Sequence, residues 1–308
     1  MIKEIKGKII KGLGGLYTTR TEEDDGIRIY TSRAKGNLKK DEEKLLVGDE
    51  VVLTLDDSTP DGVVISRVEE RKNSLIRPPM ANLDYLFIVL AAKKPVPALD
   101  VVDKLTAICV HNGITPVIVI TKKDLSPEAA EEYARVYECC GIPTFITSSL
   151  DEDGVGELSS YIHNNVRAGA TAAFAGASGV GKSTLMNALF PSLSLYTGEV
   201  SKKTERGKHT TRHVEIFDIG DGGYLADTPG FSLIDFARFD FFDIDDLPKT
   251  FPDVMKYSEG CRYADCTHSG EGIDECSVAR AANDGKIAPS RLESFRSIYR
   301  ILREKKKY

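Results

Sequence analysis

Gly176-Ala177-Ser178-Gly179-Val180-Gly181-Lys182-Ser183-Thr184 is the stretch on which the reading of this sequence turns. It has the form G-x-x-x-x-G-K-S-T of a nucleotide phosphate loop. The preceding run, Thr171-Ala172-Ala173-Phe174-Ala175, is short and apolar, as a buried strand is, and Leu185 to Phe190 continues beyond the loop as a helix. In such a strand–turn–helix context, successive backbone N–H groups point inward at a phosphate and the helix dipole adds partial positive charge. Gly176, Ser178, Gly179, Val180, Gly181, Lys182, Ser183 and Thr184 are therefore the expected phosphate-binding residues. Lys182 is placed to reach the β- and γ-phosphates, a catalytic charge, and the Ser183 hydroxyl to hold Mg²⁺. The loop alone does not separate ATP from GTP.

The chain has 308 residues, enough for two or three domains with a sizeable core. Its net charge of −6 excludes a general polycation, so any nucleic-acid contact must come from local basic patches. No apolar run approaches the length of a membrane span, and Met1 to Lys6 lacks the apolar core of a secretory signal. A cytoplasmic protein with no membrane partner, acting as a monomer, is expected. Its six cysteines then read as metal ligands or free thiols rather than disulfides.

Outward from the loop, the pattern changes twice. Residues before about 76 are β-rich: Ile5 to Leu16, Gly26 to Ser32, Asp49 to Leu55 and Gly62 to Val68 read as strands separated by Gly/Asp breaks. Several short strands in so small a segment predict a closed barrel of the OB or SH3-like kind. The basic loop carrying Arg33, Lys35, Lys39 and Lys40 is either a solvated surface or a contact to an RNA backbone. From 77 to 234 strands alternate with helices: Tyr85–Leu90, Val117–Ile120 and Ile142–Thr147 as strands, with helices through Val101–Ile108, Pro127–Cys140 and Gly156–Val166. This predicts an α/β domain with a parallel sheet. Val214–Ile219 and Gly223–Ala226 add an antiparallel edge pair. From 235 to 308 the alternation gives way to a cysteine cluster and a charged helical tail.

Three further motifs carry chemistry. Thr121-Lys122-Lys123-Asp124 follows a buried strand and fits [N/T]-K-x-D. A buried Asp124 carboxylate would accept two hydrogen bonds from guanine that adenine does not offer, with Lys122 across the base. Thr147-Ser148-Ser149 would present N–H groups to the guanine carbonyl. Asp227-Thr228-Pro229-Gly230 fits D-x-x-G, with Asp227 on Mg²⁺ and the Gly230 N–H at the γ-phosphate. Between that motif and the phosphate loop, polar Thr197 to His213 has the place of a switch loop carrying a Thr for Mg²⁺, Thr210 or Thr211. Guanine recognition precedes the phosphate loop here, the reverse of the Ras-like order, which is a circular permutation. Cys261, Cys266, His268 and Cys276, three Cys and one His within sixteen residues, suit one structural Zn²⁺.

With these residues in place, the chain resembles the circularly permuted, ribosome-associated GTPases known as RsgA (also YjeQ or YloQ). The resemblance extends to Val47-Gly48-Asp49, Arg71-Lys72-Asn73-Ser74-Leu75 and Gly207-Lys208-His209-Thr210-Thr211. It implies an N-terminal OB-fold barrel, a permuted GTPase domain and a zinc-binding helical C-terminal domain. It also implies GTP hydrolysis stimulated by the small ribosomal subunit, contact with its 16S rRNA, and a checkpoint role in late subunit maturation. Phe231 follows the D-x-x-G motif where Ras-like enzymes carry a water-orienting Gln. The resemblance gives that role to His209, against a reading in which His209 only shapes its loop. The competing function is an rRNA-binding assembly factor that uses GTP mainly as a sensing ligand.

Overall fold

The computed structural model describes residues 2–35, 44–56, 62–148, 153–193, 214–227 and 235–306. The chain opens with strands β1 (Ile2–Leu13), β2 (Leu16–Glu23), β3 (Gly26–Ala34), β4 (Glu50–Asp56) and β5 (Val63–Val68), then the short pair β6 (Ser74–Leu75) and β7 (Met80–Ala81). Alternation follows: β8 (Tyr85–Ala91), α1 (Leu99–His111), β9 (Thr115–Thr121), α2 (Pro127–Glu138), β10 (Thr144–Ile146), α3 (Val155–Asn165), β11 (Thr171–Ala175) and α4 (Lys182–Leu189). The hairpin β12 (Glu215–Gly220) and β13 (Gly223–Asp227) precedes α5 (Pro252–Met255), α6 (Ser277–Asn283) and α7 (Pro289–Lys305). These elements form two compact units. One holds Met1–Asp84, His163–Phe174 and Tyr196–Phe231, the other Tyr85–Ile162, Ala175–Leu195 and Ser232–Tyr308.

In the first unit β1 to β5 close a barrel in the order β1-β2-β3-β5-β4, with β1 long enough to pair with both β2 and β4. Alternate residues point inward, so Ile5, Ile9, Val51, Leu53 and Ile65 are all buried. A Cβ at Gly7 would stand 2.7 Å from the Arg20 carbonyl oxygen, so the close approach of β2 to β1 requires glycine there. Two expectations are corrected. The run Ile5 to Leu16 is not one strand: Gly14 and Gly15, at φ 59° and 78°, turn the chain so that Leu13 pairs with Leu16. The strand that follows, β2, carries no apolar alternation because its interior positions are Thr19 and Thr21, both buried. The hairpin β12–β13 is antiparallel as expected but is not an edge, since Lys11 of β1 registers with Glu215 of β12. On its other side β13 pairs in parallel with β11, Thr171 opposite Tyr224.

In the second unit β10, β9 and β8 form a parallel sheet, with Phe87 opposite Val117 and Ile120 opposite Ile146. Val117 to Ile120 have no exposed surface, which is why this strand reads as an unbroken apolar run. Pro127 begins α2 with Ser126 as N-cap, as expected, but the Ser126 hydroxyl makes no cap hydrogen bond. A buried ionic cluster joins α1, α5 and α7. Arg291, 1% exposed, donates from Nη1 to Asp103 Oδ1 (2.8 Å) and from Nη2 to Asp253 Oδ1 (2.9 Å). Its guanidinium lies 4.4 Å from the centroid of the Phe251 ring.

Candidate functional site

The phosphate loop follows β11 and ends at the first turn of α4, as its sequence requires. Gly179 and Gly181 take left-handed φ of 80° and 95°, open to glycine at little cost. A Cβ at Gly176 would stand 2.5 Å from the Val89 carbonyl oxygen, so the loop leaves its strand against β8 only with glycine there. Val180 is buried, anchoring the loop, while Ser178, Gly179, Ser183 and Thr184 are exposed. Lys182 and Ser183 open α4.

The end of β9 is docked onto this loop. Thr121, 1% exposed, turns its hydroxyl to the carbonyl oxygens of Leu90 (3.2 Å) and Val180. Lys122, at a left-handed φ of 59°, donates from Nζ to Gly179 O (2.7 Å) and Lys94 O (2.5 Å). Its ammonium thus braces the loop backbone. Asp124 is exposed, not buried as the motif suggests, and its Oδ1 accepts from the Ser148 hydroxyl at 3.0 Å. Ser148 itself is buried. The N–H groups of Thr147 and Ser148, expected to face the base, are already given to Ile120 O (2.7 Å) and Asp153 O (2.9 Å). Ser148 therefore acts on the carboxylate through its hydroxyl, a role the motif does not reveal. Asp227 is the exposed last residue of β13. His209, Thr210, Thr211, Gly230, Lys39 and Lys40 lie outside the described residues; Arg33 and Lys35 are exposed at the end of β3.

Cys261, Cys266, His268 and Cys276 come together in the second unit, their ligand atoms all within 4.8 Å of one another. His268 Nδ1 lies 3.6, 3.3 and 3.4 Å from the sulfurs of Cys261, Cys266 and Cys276, and the Cys261 and Cys276 sulfurs are 3.9 Å apart. A tetrahedral Zn²⁺ with Zn–S near 2.3 Å has sulfur–sulfur edges of about 3.8 Å, so the donor set fits that ion. Burial raises the Cys261 thiol, but hydrogen bonds from Ser277 and the backbone outweigh it and hold the pKa below the usual range, favouring a thiolate. His268 adopts a left-handed φ of 57°, and Arg296 Nε fixes its carbonyl at 2.9 Å. Glu271, not singled out by the sequence, clamps the loop by accepting from the Thr267 N–H (3.0 Å), the Thr267 hydroxyl (2.9 Å) and the Gly270 N–H (3.1 Å). Its burial is outweighed by these backbone donors, which bring its pKa down to about 2.

A family profile described as the RsgA GTPase matches residues 68–237, and one described as the RsgA N-terminal domain matches residues 6–64. The chain belongs to the RsgA family. Among RsgA relatives, the "Small ribosomal subunit biogenesis GTPase RsgA" of Geobacillus thermodenitrificans is 39% identical over 98% of each chain. The protein of the same name from Bacillus subtilis is 35% identical over 98% of each. Two solved structures in this family share the whole architecture. One, described as YloQ, a circularly permuted GTPase, gives a TM-score of 0.76 at 31% identity, covering 98% of this chain and 96% of that one. The other, YjeQ from Thermotoga maritima, gives 0.77 at 29% identity, covering 97% and 99%. The RsgA fold is thus the permuted GTPase with its N-terminal barrel and helical, cysteine-bearing C-terminal part.

Proposed function

We propose that this chain is a GTPase that binds the small ribosomal subunit, hydrolyses GTP to GDP and phosphate, and serves late maturation of that subunit as a checkpoint factor. The carrying observation is the docking of Thr121 and Lys122 on the phosphate loop, which brings a guanine motif and a phosphate motif into one site despite their reversed order. The functional domains are residues 1–76, an OB-fold barrel, 77–234, the permuted GTPase, and 235–308, the zinc-binding helical part. Lys182, Ser183 and the N–H groups of the loop take the phosphates, and Asp124 with Lys122 and Ser148 takes guanine. Ser183, Thr211 and Asp227 would hold Mg²⁺, which neutralises charge developing on the phosphates. His209 orients the attacking water. One Zn²⁺ is held by Cys261, Cys266, His268 and Cys276. The partner RNA is 16S rRNA, engaged by Arg33, Lys35, Lys39 and Lys40; the chain acts as a monomer in the cytoplasm.

Single-turnover GTP hydrolysis with and without small subunits tests this reading. Stimulation by the subunit is expected. Equal, slow turnover in both conditions would favour a factor that holds GTP as a sensing ligand, the reading that Phe231 in place of a Gln suggests.

A further inference from the structure

Outside the nucleotide and metal sites, the first unit contains an open cleft of about 390 Å³ on the outer face of the barrel. Its floor is made by Lys8, Arg20 and Tyr224. Both cations are more than nine-tenths buried, and both lie over the Tyr224 ring, at 4.8 Å (Lys8 Nζ) and 5.3 Å (Arg20 Cζ) from its centroid. The two cations are held from behind. Lys8 donates to Gly169 O and Thr171 Oγ1, both at 3.1 Å, and Arg20 donates to Asp218 Oδ2 (2.6 Å) and the Tyr224 hydroxyl (2.7 Å). Of these partners only Asp218 is an acid, and its side chain is 36% exposed; the two acids on the cleft side are more exposed still. Glu50 reaches Lys8 at 3.0 Å with its side chain 45% exposed, and Glu22 reaches Arg20 at 2.7 Å with its side chain 69% exposed. Lys6, its side chain 79% exposed and paired with Glu69 at 3.5 Å, adds a third cation to the lining.

Two hydrogen-bonded, buried cations thus meet the cleft through two carboxylates on solvent-exposed side chains. Exposed carboxylates of this kind contribute little binding energy and are displaced at small cost. The cations cannot follow them, because their inner hydrogen bonds would be broken in a buried setting. We propose that the cleft is an anion site for phosphate groups, in which ligand oxygens replace Glu50 on Lys8 and Glu22 on Arg20, with Lys6 at the rim. The ligand is a phosphate ester or diphosphate, supplied either by an RNA strand or by a free small molecule.

The test uses the full chain with its guanine site saturated by GDP and Mg²⁺, titrated calorimetrically with inorganic pyrophosphate and with a uridine hexanucleotide. Binding of either probe is expected. Binding of the hexanucleotide alone, lost in Arg20→Gln, identifies an RNA strand as the source, and binding of pyrophosphate alone a free ligand; hexanucleotide binding that Arg20→Gln leaves unaltered belongs to the Arg33 and Lys35 loop and counts against the cleft. The deciding variant is Glu22→Gln with Glu50→Gln, which removes only the displaceable acids. It should tighten binding by about fivefold per carboxylate, the effect of deleting a like charge at contact distance in a solvated site. Arg20→Gln should weaken binding at least tenfold, with its fold checked by circular dichroism. Basal GTP hydrolysis should be unchanged in the Glu22/Glu50 variant, so failure here is separate from failure of the GTPase reading. No binding of either probe at millimolar concentration, or affinity unaltered in the Glu22/Glu50 variant, would overturn the proposal.

Discussion

The Lys122 ammonium lies 2.7 Å from the carbonyl oxygen of Gly179, fifty-seven residues further along the chain. The guanine motif is therefore built onto the phosphate loop, and the two sites should respond to mutation as one. Lys122→Ala removes both the cation beside the base and a brace on the loop. Nucleotide affinity should fall for GTP and GDP alike, by about tenfold for a charge-assisted hydrogen bond lost. Unequal losses measured by equilibrium titration would separate base contact from bracing.

Asp124→Asn should turn preference from guanine towards xanthine, because an acceptor pair becomes a donor and an acceptor. Ser148→Ala leaves the carboxylate in place but removes its 3.0 Å hydrogen bond. That should cost about fivefold in guanine affinity, the usual worth of one such bond. An Asp124→Asn variant that still discriminates GTP from XTP as the parent does would refute the assignment.

Lys182→Ala and Ser183→Ala should each lower hydrolysis by about 10²-fold or more while leaving the melting temperature near that of the parent. The two positions open a helix, and Ser183 is exposed, so neither substitution leaves a core cavity. Unchanged turnover in either variant would remove the phosphate loop from the mechanism.

Cys261, Cys266, His268 and Cys276 should hold about one Zn²⁺ per chain, measured by elemental analysis. Chelation or Cys276→Ala should loosen the region from Cys261 to Arg296 first, seen as faster amide exchange there than in β8 or β9. Analysis finding no zinc would count against the site.

Arg291→Met should destabilise the chain by about 3–5 kcal/mol, because Asp103 and Asp253 are left buried without a cation. The pH dependence gives the sign. Burial tends to raise the Asp253 carboxyl, but Arg291 outweighs it and holds the pKa below the usual value, so its contribution is present above the unfolded value near 3.8 and lost as pH falls from there through the lower folded value. In the variant the Asp253 pKa rises above the unfolded value and that of Asp103, already raised by burial in the parent, rises further, so stability is lost as pH rises past the unfolded value. The deficit relative to the parent should shrink between pH 7 and pH 5, and adding Asp103→Asn with Asp253→Asn should recover part of it. A constant deficit in chemical denaturation across that range would show that the ion pairs are not its cause.

Neutralising Arg33, Lys35, Lys39 and Lys40 together should weaken small-subunit binding and flatten its dependence on salt, since fewer counterions are released. Binding should also be tighter with a non-hydrolysable GTP analogue than with GDP. Equal affinity in the two nucleotide states, measured by co-sedimentation, would exclude a nucleotide-driven switch.

What the sequence determined by itself was local chemistry. The phosphate loop, the zinc ligands and the buried strand Val117–Ile120 are legible because each depends on residue types at short, fixed spacing. The permuted order was legible too, since order along the chain is a property of sequence. Only the tertiary structure decided which distant groups meet. β2 escaped notice because its inward positions are the threonines Thr19 and Thr21, which give no apolar alternation. Asp124 proved exposed, and the N–H groups of Thr147 and Ser148 were taken by other carbonyls, because hydrogen-bond partners are assigned by folding and not by motif. Arg291, Lys8 and Arg20 look like ordinary surface cations in the sequence. They are buried because acids, carbonyls and hydroxyls up to 204 residues away along the chain are brought around them, and a charge leaves water only where the fold supplies such partners.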